Sequence, residues 1–190
     1  YIETNFLAAD NGIANDNYVL TAGIDLGLSS SFSISNTLGP GPIFDLTGIE
    51  DFKCRSLTVQ NTFITSLDLS TLDLYGGSAI FILQNQYLEE VILPNNTDTL
   101  QLSFYQNDSL NNIVFHSSLS YSSINIDGHQ SLCELVFKGK IVSGGSWSTV
   151  TLNQAENIVQ LDFSGISEAP YQTNIYIALH NIWTVGGSNL

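Results

Sequence analysis

The chain has 190 residues, enough for one domain with a sizeable core, and at 43% apolar content its low charged fraction of 12% does not signal disorder. Eighteen acids against four bases give a formal net charge of -14, which repels phosphate and excludes nucleic acid and anionic membrane surfaces as partners. No stretch approaches the roughly 20 apolar residues of a membrane helix, so no transmembrane segment is expected.

Scarce Lys and Arg with abundant Ser, Thr and Asn fit a secreted or outer-surface setting, and the absence of an initiator Met fits a processed end or a cut boundary. Residues 1–22 are not repeat-like. Within them, residues 5–9 read as a short helical turn with Thr4 as its N-cap, a cap over the first coil. The stretch from Asp10-Asn11-Gly12 to Asp16-Asn17 is oxygen-rich enough to suggest calcium. It lacks the spacing and the terminal bidentate Glu of an EF-hand, so a solvated loop is favoured and no cofactor is expected.

Residues 23–190 carry a repeat. Apolar-x-apolar pairs occur at Phe32/Ile34, Leu57/Val59, Phe81/Leu83, Leu102/Phe104, Ile124/Ile126, Val150/Leu152 and Ile175/Ile177, spaced 21 to 26 residues apart. Between the first two lie a Gly39-Pro40-Gly41-Pro42 loop and an expected helical turn over residues 47–53. A second pair follows in step: Leu67/Leu69, Val91/Leu93, Ile113/Phe115, Leu135/Phe137 and Leu161/Phe163. Each has an apolar residue three positions before it, at Ile64, Leu88, Leu110, Leu132 and Ile158. This predicts a β-rich leucine-rich-repeat solenoid of about seven coils with two short strands per coil and a short helical N-terminal cap. One coil cannot bury its inward row, but stacked coils bury a continuous ladder. The turn after the first strand is the place for an inward asparagine. Asn107 fills it, with Thr62, Gln86, His129, Ala155 and His180 in the other coils. Nothing after the last coil, residues 175–182, reads as a cap, so further chain or a partner is expected to cover that edge.

Several segments resemble the opening of secreted Bacteroidota leucine-rich-repeat proteins: Tyr1-Ile2-Glu3-Thr4-Asn5-Phe6, Asn15-Asp16-Asn17-Tyr18-Val19-Leu20-Thr21 and Asp45-Leu46-Thr47-Gly48-Ile49-Glu50-Asp51-Phe52. Ile64-Thr65-Ser66-Leu67-Asp68-Leu69-Ser70 is similar to the half-repeat of that group. The resemblance implies export, display on the outer surface and no catalytic residues. It also makes Asp98-Thr99-Leu100 and Asp108-Ser109-Leu110 similar to the sites at which such bacteria O-glycosylate exported proteins, with Thr99 and Ser109 as acceptors.

Catalytic constellations are poor, and no enzyme is expected. Cys54 and Cys133 lie about three coils apart, roughly 14 Å, too far for a disulfide, and read as separate thiols used as small buried fillers. His116, His129 and His180 read as polar turn residues, too dispersed for a metal. Glu89/Glu90 lie in a turn, and Asp68 and Asp162 sit four coils apart, too far to cooperate in glycoside cleavage. Asn95-Asn96-Thr97 and Asn107-Asp108-Ser109 match the N-glycosylation pattern.

Binding surfaces are the stronger signal. The first ladder is expected to display Thr58, Ile82, Ser103, Asn125, Thr151 and Tyr176 in one row, and Gln60, Gln84, Tyr105, Asp127, Asn153 and Ala178 in the next. Tyr105, Asn125, Asp127 and Tyr176 suit a glycan. The second ladder is expected to display Ile92, Val114 and Val136 as an apolar strip between Asp68 and Asp162, open to a protein partner or covered by a loop carrying Trp147. The expected function is a non-catalytic extracellular module for protein interaction or adhesion, or a subunit of a surface assembly. A glycan-binding accessory protein is the alternative.

Overall fold

A computed structural model of the chain describes residues 31–35, 46, 53–95, 99–142, 148–154, 157–169, 173–178 and 184–186. The calcium-like loop, the helical cap, the turn over 47–52, Trp147, Ala155 and His180 lie outside the described residues.

The protein is a parallel β-solenoid of about five turns, and no helix occurs among the described residues. The first side of the winding comes from β1 (Ser31–Ser35), β2 (Lys53–Gln60), β4 (Asp73–Leu83), β6 (Thr99–Tyr105), β8 (Ser120–Asp127), β10 (Ser148–Asn153) and β12 (Thr173–Ala178). These pair in that order, every pairing parallel. A second side carries β3 (Ser66–Asp68), β5 (Glu90–Ile92) and β7 (Asn112–Val114) as a separate three-stranded sheet. It continues with β9 (Glu134–Ile141), β11 (Gln160–Glu168) and β13 (Thr184–Gly186), and β9 packs beside β7. The distal half of β9 turns back to pair Lys140 with Ser120 and Ile141 with Tyr121, which joins the two sides into one sheet of ten strands.

The alternation in sequence explains the winding. Leu57, Val59, Leu102, Phe104, Ile124, Ile126, Val150 and Leu152 point inward and are almost fully buried. So are Ile64, Leu88, Leu110, Leu132 and Ile158 at the corner, and Leu67, Val91, Leu135 and Leu161 on the second side. Each such side chain contributes about 1.5–3 kcal/mol by leaving water, but only because a coil above and below completes its shell. Where the second side ends, Phe115, Phe137 and Phe163 form a column, the first pair tilted with centroids 5.2 Å apart and the second stacked at 4.7 Å.

One register differs from the expected one. In the third pair Ile80 and Ile82 are the buried residues, while Phe81 and Leu83 face outward and are half-buried. Phe81 aligns with Thr58 and Ser103, and Leu83 with Gln60 and Tyr105. The reason is that residues 79–83 are apolar throughout, so alternation alone cannot choose a face. The turn chooses it: Gln84-Asn85 repeats the backbone of Gln106-Asn107, and Asn85, not Gln86, points inward.

Candidate functional site

Three surfaces follow from this winding. The first is the corner after each first-side strand. There Asn61, Gln84, Gln106, Gly128 and Gln154 occupy equivalent positions, all with left-handed backbone (φ 53°, 55°, 51°, 73° and 51°). This conformation swings each peptide N–H onto the next coil: Asn61 donates to the Leu83 carbonyl, Gln84 to Tyr105, Gln106 to Asp127 and Gly128 to Asn153. It also throws the following residue inward, which makes a buried polar ladder of Thr62, Asn85, Asn107 and His129.

That ladder satisfies backbone that has no strand partner. The Asn85 Oδ1 accepts both the backbone N–H and the hydroxyl of Thr62, at 2.9 and 2.7 Å. Asn107 Oδ1 accepts the backbone N–H of Asn85 at 2.9 Å and its side-chain amide at 3.1 Å. The Asn85 and Asn107 amides donate to the carbonyls of Val59 and Ile82. His129 takes the next step, its Nδ1 donating to the Asn107 carbonyl at 3.1 Å, while its Nε2 is buried without a hydrogen-bond partner. Burial holds the His129 ring below its ordinary pKa; the Asn107 and Phe104 carbonyls, Asp127 and Asp108 only partly oppose this. His129 therefore holds the inward turn position that the repeat assigned to it, as a buried ladder residue and not an ordinary polar turn residue. His116 is half-buried, with its Nε2 buried and unpartnered.

Outside this ladder the corner side chains form a second, solvent-facing one. The Gln60 amide donates to Gln84 Oε1 at 3.0 Å, and the Gln84 amide donates to Gln106 Oε1 at 3.3 Å. Phe63 and Tyr87 stack beside it, 5.4 Å between centroids and 20° between planes. Gln84, Gln106, Phe63 and Tyr87 line an open, mainly polar groove of about 920 Å³ that reaches from Asn61 to Gln154. Of the residues of this row and groove, Gln60 and Gln84 were expected on the outward face and Thr62, Gln86 and His129 in the inward turn position, but Gln106, Gln154, Phe63 and Tyr87 entered no sequence expectation. The signal was present in the Gln84-Asn85 and Gln106-Asn107 pairs.

The second surface is the outward face of the first side. Asn125 shares a row with Phe81, Ser103, Thr151 and Tyr176, and Tyr105 shares the next with Asp127. Tyr105 and Tyr176 are exposed, Asn125 and Asp127 half-buried. Tyr105 adjoins Asp127 directly, whereas Tyr176 stands three strands from Tyr105. Ile82, expected in this display, is buried, and Phe81 takes its place.

The third surface is the apolar strip. Asp68 aligns with Ile92, Ile92 with Val114, and Val136 with Asp162. The three apolar side chains are half-buried. Glu90 and Glu134 stand in the neighbouring row, where Glu90 accepts the Asn112 amide at 2.6 Å, and Lys138 lies on the opposite margin. Asp68 and Asp162 each accept the backbone N–H two residues on, at 2.8 Å, and the Ser164 hydroxyl and N–H hold the Asp162 carboxyl below its ordinary pKa.

The remaining chemistry-bearing residues stay apart. Both thiols are free, but only Cys54 is buried, which pushes its pKa up to about 11; Cys133 is exposed, contrary to the filler role expected of both. Cys133 lies in the turn before β9, where its neighbours Leu132 and Leu135 take the inward positions. The Asn107-Asp108-Ser109 sequon is closed to glycosylation because Asn107 is fully buried and its amide is committed to the ladder. Thr99 opens β6 and Ser109 sits in the following turn, both half-buried. Among the described residues no three His, Cys, Asp or Glu side chains converge on a metal position, and no helix is long and apolar enough to cross a membrane. No family model, curated protein or solved structure matches the chain.

Proposed function

We propose that the chain is a non-catalytic extracellular module that binds a protein partner through the strip of Ile92, Val114 and Val136, as a subunit of a surface assembly. The observation that carries this reading is a run of three half-buried β-branched side chains within a frame of carboxylates: Ile92 and Val114 are paired in register, and Val136 stands on β9, which packs beside β7. Solvated strand faces alternate polar residues outward, so an apolar row on such a face fits a docking surface. Asp68, Glu90, Glu134 and Asp162 against the single Lys138 select a partner with a basic rim around an apolar centre. A second copy of this chain is a poor occupant, because its own strip carries the same charge and its net charge is -14.

A leucine-rich-repeat type of seven coils is supported by the seven first-side strands that pair one after another, and by the corner leucines and isoleucines before each second-side strand. Membership of the secreted Bacteroidota group and a helical cap over residues 1–22 rest on the segments named above.

The test is capture from the outer-surface fraction of the native source, with stoichiometry by mass spectrometry, comparing the wild type with Val114→Asp. The expected result is one basic protein recovered stoichiometrically with the wild type, released by raised salt and lost with the variant. Recovery of the same proteins by both chains, or of none by the wild type, overturns the reading.

A further inference from the structure

The solvent-facing amide row of the corner has one interruption. At Gly128 no side chain continues the Gln60–Gln84–Gln106 ladder, and a Cβ there would lie 3.1 Å from Gln106 Cγ. The gap is one side chain wide, with His129 as its floor and Gln106, Gln130 and Gln154 around it. We propose that this groove is a binding site for neutral oligosaccharides, with one ring seated in the Gly128 notch and another against the exposed face of Tyr87.

Size, chemistry and charge agree on that class. The groove crosses five coils, about 19 Å at the spacing of a β-ladder, and its volume of about 920 Å³ falls within the range of ligand sites. An amide offers both a donor and an acceptor, which is what a sugar hydroxyl offers in return, so a row of amides matches a row of hydroxyls. Because the Gln60, Gln84 and Gln106 side chains already brace one another, little rotamer freedom remains to be lost on binding. Tyr87 is 52% exposed yet pinned by its stack on Phe63, which leaves a rigid ring face for the C–H side of a pyranose.

None of the four basic residues lines the groove, Asp108 is its only carboxylate among the described residues, and burial lowers the pKa of His129. Phosphorylated, sulfated or uronic ligands therefore find no counter-charge. A peptide is disfavoured for a different reason. Its recognition relies on free backbone groups, and the corner N–H groups of Asn61, Gln84, Gln106 and Gly128 are all committed to the next coil. The site is separate from the apolar strip, so its failure and the failure of the protein-partner reading are independent.

Isothermal titration of the whole chain with cellohexaose, laminarihexaose, mannohexaose and xylohexaose tests it, with polygalacturonate and a Ser/Gly-rich decapeptide as contrasts. At least one neutral hexamer should bind. Gly128→Gln should weaken it roughly ten-fold by filling the notch with the residue type that three neighbouring coils hold at the same backbone angle. Tyr87→Ala should weaken it roughly ten-fold by removing the platform, and Val114→Asp should leave it unchanged. Tyr87 is a surface side chain, so its variant decides the matter should Gly128→Gln fail to fold. Binding of no neutral hexamer, of polygalacturonate or the decapeptide only, or equal binding by wild type and Tyr87→Ala overturns the proposal.

Discussion

Two corners hold the turns of this solenoid together, and they do so by opposite chemistry. At the end of the first side, Thr62, Asn85, Asn107 and His129 form a buried ladder in which Asn85, Asn107 and His129 each take a specific backbone group of the coil before, while Thr62 donates to Asn85. At the end of the second side, Leu69, Leu93, Phe115, Phe137 and Phe163 only fill volume. The polar corner sets register, because a slip of one residue would bury unpaired amides. The apolar corner accepts whichever large side chain closes the gap, which is why it passes from leucine to phenylalanine along the stack without losing its winding.

The largest expected effect is therefore at the polar corner. Asn107→Leu keeps volume but orphans the Asn85 N–H and the Ile82 carbonyl and removes one partner of the Asn85 amide. At about 1–3 kcal/mol for each buried unsatisfied group, the variant should lose about 4 kcal/mol in urea unfolding. A loss below 1 kcal/mol would mean that the ladder is decoration. Next comes Gly139→Ala. Gly139 has φ +99°, and a Cβ would lie 2.2 Å from the Leu119 carbonyl oxygen, which accepts the Lys140 N–H at 2.7 Å. Strain and the displaced bond should together cost about 3 kcal/mol, read as a fall in the urea midpoint.

The apolar corner should respond less. Phe137→Leu removes a ring packed between Phe115 and Phe163, yet leucine already serves this position at Leu69 and Leu93. A loss of about 1.5 kcal/mol is expected from the same urea measurement, less than half that of Asn107→Leu. If the two losses proved equal, the division of labour between the corners would fall.

The same contrast explains what was legible in sequence. Apolar residues announce themselves by spacing, and the corner set from Ile64 to Ile158 is buried throughout, as the repeat required. The polar ladder has no such period, because Thr, Asn and His fill one role with three side-chain types. Asn85 was passed over in favour of Gln86 because the run Ala79–Leu83 reads equally well in either register. The outer amide row was invisible for a related reason: Gln is an ordinary surface residue, and only a left-handed φ shared by Gln84, Gln106 and Gln154 reveals it as part of a site. The strip behaved differently. Ile92 follows Asp68 and Val114 follows Ile92 in register, since second-side strands inherit their phase from unambiguous leucines, and Val136 stands on the next strand, where β9 packs beside β7.

The smallest effect tests whether His129 is a full substitute for asparagine in the ladder. An asparagine amide stays neutral at any pH, but the imidazole ring has an ordinary pKa of 6.5, and burial lowers it in the folded chain. Below pH 6.5 the unfolded chain takes up a proton that the folded chain refuses, so unfolding gains free energy as the pH falls. The contribution of a neutral His129 is thus fully present above pH 6.5 and is lost progressively as the pH drops toward the folded-state value. Carboxylates titrate mostly below this window, so the difference between wild type and His129→Asn isolates the ring. Between pH 7 and pH 5 the wild type should lose more stability than the variant. Parallel stability curves for the two chains would show that His129 accepts its proton within the fold, and that the polar corner tolerates charge as readily as the apolar corner tolerates a change of shape.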